Sequence, residues 1–255
     1  MLINKSLLYD ELYPLNDNQE IKHPAVHEVI SFGELDYYSL INLFLVYPID
    51  IIVELYEMVG KSYKSFFEYY EKLTQYDIFI MLYGSNTELY NKLIKFFLGD
   101  VDFVLAQHKD TQDIILYDDQ KDIVFDLTSF MIMSNFIRTI HHIPNDPSKT
   151  AKKSKTLMKV LIETGIANKQ FLTKQREKDK MSGKTGEQLN KLMSKISIAS
   201  QFKRDDLKDM RLYEFYETLN QVISYAYWQF KMGAYFSGNI DTSKVNKKEL
   251  EWFYD

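Results

Sequence analysis

The sequence predicts an α+β fold, mainly α-helical, with one small β-hairpin or sheet near residues 102–125. Two observations carry the prediction. Apolar side chains recur at spacings of three and four through most of the chain, the period of a helix face. The 255 residues include only five Pro and nine Gly, few for an all-β design with its many turns. The period changes once. Asp102–Gln107, Ile114–Tyr117 and Ile123–Phe125 read as short strands, and Asp118-Asp119-Gln120-Lys121 as a hairpin turn between two of them.

Before that change the elements follow from local chemistry. Leu2–Leu15 reads as irregular, with Leu7–Tyr9 as a short strand and Asn16-Asp17-Asn18 as a turn. Pro24 suits the first turn of a helix, where its missing N–H costs nothing, and Gly33 ends that helix. Glu34–Tyr47 is a helix closed by Pro48, which disfavours helix in the residue before it. Asp50–Val59 resumes with Ile51, Ile52, Leu55 and Met58 on one face. Phe66–Tyr83 has a junction near Thr74. Thr87 caps Glu88–Leu98, with Leu89, Leu93, Phe96 and Phe97 inward.

Beyond the hairpin, Asp126 or Thr128 caps a helix to about His142, with Phe130, Met133, Ile137 and Ile140 on a stripe. Ile143-Pro144-Asn145-Asp146-Pro147 is the best boundary in the chain. A basic helical segment dented at Gly165, a flexible stretch through Gly186 and a short helix over Glu187–Gln201 follow. The strongest helical signal is Asp209–Gly238, with Asp209 as N-cap and Gly238 as closing residue. Leu212, Phe215, Leu219, Ile223, Ala226 and Phe230 share its apolar face, and aromatics off that face predict a central helix with neighbours on two sides. The expected organisation is a helical N-terminal domain over 1–143, a basic arm over 144–186 and a helical C-terminal module over 187–255.

The net charge of −5 conceals an asymmetry: residues 149–184 carry eleven Lys/Arg against three Asp/Glu, a net of +8, on an otherwise acidic chain. Cysteine is absent, which excludes disulfides and thiolate chemistry and fits a reducing compartment. The N-terminus has acids where a signal peptide needs an apolar run. The longest uncharged apolar run, Tyr37–Ile49, is too short to span a bilayer. The expectation is a soluble protein of the cytoplasm.

No catalytic motif stands out. Gly183-Lys184-Thr185 resembles the end of a phosphate-binding loop, but Lys178 occupies the position of its first glycine and no strand precedes it. His23 and His27 sit four apart, yet Pro24 puts His23 at the helix entry and no third ligand is evident, so no metal is expected. His141-His142 suits a helix C-terminus, where a cation meets the dipole. Asp118, Asp119, Asp122 and Asp126 lack the glycine and terminal glutamate of a Ca²⁺ loop and read as turn and cap residues. The basic arm has the charge for nucleic acid, but Phe171 is its only aromatic for stacking. A solvated helix, or docking of Lys152, Lys153 and Lys155 onto an acidic partner or a second copy, fits it better. No cofactor is expected.

Several stretches carry a family resemblance: HPAVHEVISFGELDYYSLINLF, PIDIIVELYEMVG, the aromatic helix ending YDIFIMLYG, SFMIMSNFIRTIH after the hairpin, FKRDDLKDMRLYEFYETLNQV and YFSGNIDTSKVNKKELEWF. In this order they resemble tail assembly chaperones of phages and prophages of low-GC Gram-positive bacteria. The motifs are packing and turn residues, and the basic arm matches none of them. The resemblance implies a non-enzymatic protein of the host cytoplasm that coats the tape-measure protein during tail morphogenesis. A virion adaptor or connector, or a phage factor binding a host protein or nucleic acid, are the alternatives. Such a chaperone needs apolar surface for its client. Phe253 and Tyr254 are candidates for it, with Trp252 assigned to the core near Trp228.

Overall fold

A computed structural model describes residues 8–16, 19–59, 72–109, 112–144, 160, 163–167, 174 and 188–237, the side chains of 54–59 excepted. The fold is α+β and mainly helical, with two small antiparallel sheets.

The first sheet differs from expectation. Leu8 and Tyr9 form a 3₁₀ turn, and the strands are Leu12–Asn16 (β1) and Gln19–Lys22 (β2). They alternate cleanly, with Tyr13, Leu15 and Ile21 inward. Pro14 faces out opposite Glu20 on a two-stranded ribbon, beside the register irregularity between Pro14 and Asn16. Pro14 is also what disguises the strand in the sequence.

Helix Val26–Phe32 (α1) starts after Pro24, with the Glu28 carboxylate accepting from the Ala25 amide. Gly33 adopts φ 102°, a conformation side chains oppose, and turns the chain into Glu34–Leu40 (α2). The helix expected to run unbroken to Tyr47 is interrupted at Ile41 and continues as Asn42–Leu45 (α3). Pro48 opens Pro48–Val59 (α4), and Asp50 accepts from the Tyr47 amide. Thr74 is a true junction: Thr74 and Asp77 form a reciprocal capping box at the head of Gln75–Ser85 (α5). Asn86, not Thr87, caps Thr87–Leu98 (α6), and Leu89, expected inward, is exposed.

The second sheet lies where the sequence predicts it: Val104–Gln107 (β3), Ile114–Asp118 (β4) and Ile123–Phe125 (β5), in that spatial order. Leu116 and Phe125 pair on its inner face, with Phe103 buried beside them. The buried Asp118 carboxylate accepts from the amides of Asp102, Gln120 and Lys121 and thereby builds the turn.

Helix Leu127–Ile140 (α7), capped by Asp126, is the hub. Phe130, Met133, Phe136, Ile137 and Ile140 are buried, and so are Ser134 and Arg138 on another face. Those two polar side chains donate to the carbonyls of Phe44 and Leu45 at 2.7 Å each, satisfying the C-terminal end of α3.

The C-terminal helices are Gln188–Ala199 (α8), Arg204–Asp209 (α9) and Leu212–Phe236 (α10). They place Leu189, Met193, Ile196, Leu207, Leu212, Tyr213 and Phe215 in one cluster with the N-terminal side chains. Asp209 does not cap α10. Met210 and Arg211 run extended, because Met210 O and the Leu212 amide bond to the Val26 amide and Pro24 O. Nor is α10 central. Its first turns are buried, but Ile223, Tyr227 and Phe230 are 56%, 60% and 73% exposed, so its apolar face runs past the end of the core. Residues 163–167 are helical, and a Cβ at Gly165 would meet Val53 at 2.8 Å, so glycine permits a close approach to α4.

Candidate functional site

A groove of about 560 Å³ opens between the head of α5, one end of the second sheet and the start of α7. That volume is within the usual range of ligand sites. On α5, Tyr76, Asp77, Ile80 and Met81 face it at the three- and four-residue spacing of one helix side. The sheet contributes Ile114, Ile115 and Val124, and α7 contributes Leu127. Met81, Ile114, Val124 and Leu127 are between 37% and 51% exposed, which makes the walls an accessible apolar surface.

Three carboxylates, Asp77, Asp113 and Asp126, stand among these apolar walls. Two of them have structural duties that fix their positions, since Asp77 belongs to the capping box of α5 and Asp126 caps α7. Asp113 lies at the neck of the β3–β4 loop, where the His108 amide donates to its carbonyl at 2.8 Å. Tyr76 sits among the three. Burial first, then Asp126, Asp113 and Asp77, hold its hydroxyl well above the usual phenol range. It remains a neutral donor to Ile114 O at 2.9 Å, fastening α5 to the sheet. Chemically, the groove offers apolar contact beneath negative charge, a surface suited to an apolar segment that carries cations.

A second depression of about 550 Å³ lies along α6 between Thr87 and Val104. Its buried polar residue is already satisfied, because Asn91 accepts from the Tyr83 hydroxyl and donates to Phe103 O. A salt bridge between Lys95 and Asp102 crosses it at 3.3 Å.

The histidines serve the fold. His23 is fully buried, whereas His27 is on the surface with Nδ1 3.1 Å from Lys208 O, so the pair does not share a site. Among the described residues no group of three or more His, Asp or Glu side chains could hold a metal ion. His141 meets the Tyr37 hydroxyl at 2.9 Å, and the neighbouring Tyr38 and Tyr216 hydroxyls meet at 2.6 Å. Burial, with smaller contributions from His23 and His142, lowers the His141 pKa to about 3. His141 is therefore uncharged at neutral pH, and the expected charge–dipole role does not apply to it. His142, at φ 53°, takes the left-handed position of a Schellman cap, with Ile143 N bonded to Arg138 O and His142 N to Thr139 O.

The acidic residues near the hairpin separate by task. Asp118 builds the turn, Asp122 accepts from the Tyr117 hydroxyl, and Asp126 faces the groove. The predicted protein-binding residues Lys152, Lys153, Lys155, Phe253 and Tyr254 lie outside the described residues, as do Trp252 and Gly183-Lys184-Thr185. The groove itself was not predicted. Asp126 is legible as a cap and Thr74 as a junction, but nothing local says that the two helix ends converge. Among the described residues no helix is long and apolar enough to cross a membrane. No protein-family model, curated protein or solved structure matches this chain.

Proposed function

We propose that the chain is a non-enzymatic phage tail assembly chaperone that engages the tape-measure protein in the host cytoplasm. The order of motifs described above supports the family. The observation that carries the binding role is the groove, where Met81, Ile114, Val124 and Leu127 offer apolar surface beside three carboxylates. A client segment with an apolar face flanked by Lys or Arg has the chemistry to lie there, as amphipathic helices do in apolar grooves.

The test is co-expression with the tape-measure protein encoded in the same tail gene cluster. The client should co-purify with the wild type and be lost with Ile114→Glu and Val124→Glu, while circular dichroism stays unchanged. Both are solvent-facing wall positions. Failure of the wild type to retain the client would overturn the reading. Recovery of the chain in purified virions would favour a virion adaptor instead.

A further inference from the structure

The second half of α10 carries an exposed apolar stripe. Tyr216 and Leu219 pack against the core. The same stripe continues as Ile223, Tyr227 and Phe230, which are 56%, 60% and 73% exposed. Between Thr218 and Ser237 the only charged residue is Lys231, whose ammonium lies over the Tyr227 ring at 4.7 Å. A surface with so little charge cannot select a partner by charge. What it has is an alternation of size. Ala226, Gly233 and Ala234 lie between and beside the three large side chains, and a Cβ added at Gly233 would meet nothing within 4 Å.

We propose that this stripe pairs with the same stripe of a second copy, antiparallel, about a two-fold axis level with Trp228. That register sets Ile223 opposite Gly233 and Phe230 opposite Ala226, large against small, and brings the two Tyr227 side chains together at the axis. This is the self-complementarity that an isologous contact requires. The two Lys231 residues fall on opposite sides of the axis, about 9 Å apart along it at the rise of a helix, so like charges do not meet. Phe236 points to the opposite side of the helix and stays outside the contact. At ~200 Å² per large side chain, the three exposed residues present roughly 400 Å² per copy. The small residues and neighbouring backbone add to this, and the total approaches the ~1,000 Å² lower bound of a specific interface. The pair is therefore a reversible dimer, not a permanent one. The inference stands on a different surface from the groove and does not depend on the tail-assembly reading.

The test uses the purified full chain in sedimentation equilibrium and light scattering from about 1 to 100 µM. The wild type should move from 30.3 kDa toward twice that mass. Phe230→Glu should raise the dissociation constant at least tenfold, with an unchanged circular dichroism spectrum because the side chain is exposed. Phe236→Glu, equally exposed but on the opposite side, should leave dimerisation intact. Because the chain contains no cysteine, Tyr227→Cys provides a clean geometric check. It should form a disulfide-linked dimer on mild oxidation, and Phe236→Cys should not. A monomer at every concentration overturns the proposal, as it would if the stripe were covered by the chain's own residues, a client or a lipid surface. So does equal loss of dimer in the Phe230 and Phe236 variants.

Discussion

The imidazole of His23 accepts a hydrogen bond from the backbone N–H of Tyr213 at 3.1 Å, across 190 residues of sequence. Beside it, the Arg211 guanidinium donates to His23 O at 3.0 Å. His23 is fully buried against Phe136 of α7, and the Leu8 and Asp10 carbonyls lie near its ring without reaching hydrogen-bond geometry. Burial first, then the charge of Arg211, lowers its pKa to about 4. One neutral ring thus ties the N-terminal segment to the start of α10.

Stability should accordingly depend on pH between about 4 and 6.5. Within that window the unfolded state binds a proton at His23 that the folded state refuses, so stability is complete above pH ~6.5 and falls as pH drops toward 4. The shift corresponds to roughly 3 kcal/mol at most. His141 adds in the same direction. His23→Gln retains an acceptor for Tyr213 and removes the titration. Chemical denaturation at pH 7 and pH 4.5 should show a smaller pH-dependent loss for this variant than for the wild type.

The close approach of Gly165 to Val53 predicts a compensating pair. A Cβ at residue 165 meets a Val53 methyl at 2.8 Å. Gly165→Val should cost about 1–3 kcal/mol by overpacking. Val53→Ala in the same chain should recover part of that cost, which a double-mutant cycle of denaturation midpoints measures.

His142 holds a left-handed cap position while its ring stacks on Tyr213, 5.2 Å away and 14° from parallel. His142→Gly loses the stack but gains the backbone conformation, so its stability should lie within about 1 kcal/mol of wild type. His142→Val loses both. It should be destabilised by about 2 kcal/mol or more, because a β-branched residue at positive φ adds strain to the lost contact. Thermal melts of the two variants give the comparison.

Association at the groove should carry a salt dependence. Asp113 is the groove carboxylate that caps no helix, and Asp113→Asn should weaken capture of a lysine-bearing client segment by a few-fold. Raising ionic strength from 0.15 to 0.5 M should reduce binding by the wild type more than by the variant, because screening acts on the charge that the variant has lost. Equal salt sensitivity in both would place the electrostatic contact elsewhere.

The sequence by itself determined the local structure. Thr74 and Asp77, Asp126, Gly33 and Pro48 each start or stop an element through chemistry within four residues. The change of period near 102–125 located the three-stranded sheet. Four inward positions of α7 were readable because a helix repeats its faces every three to four residues. Tertiary structure decided what those faces meet. Only the pairing of Met210–Leu212 with Pro24–Val26 moves the start of α10 past Asp209, and only folding brings the heads of α5 and α7 to one groove. Hydrophobic periodicity identifies an apolar face but not what covers it. Phe130 on α7 is buried and Phe230 on α10 is exposed, although both stand on equally regular stripes. The difference lies in the surrounding elements: among the described residues they converge on α7, whereas Ile223, Tyr227 and Phe230 of α10 stay open.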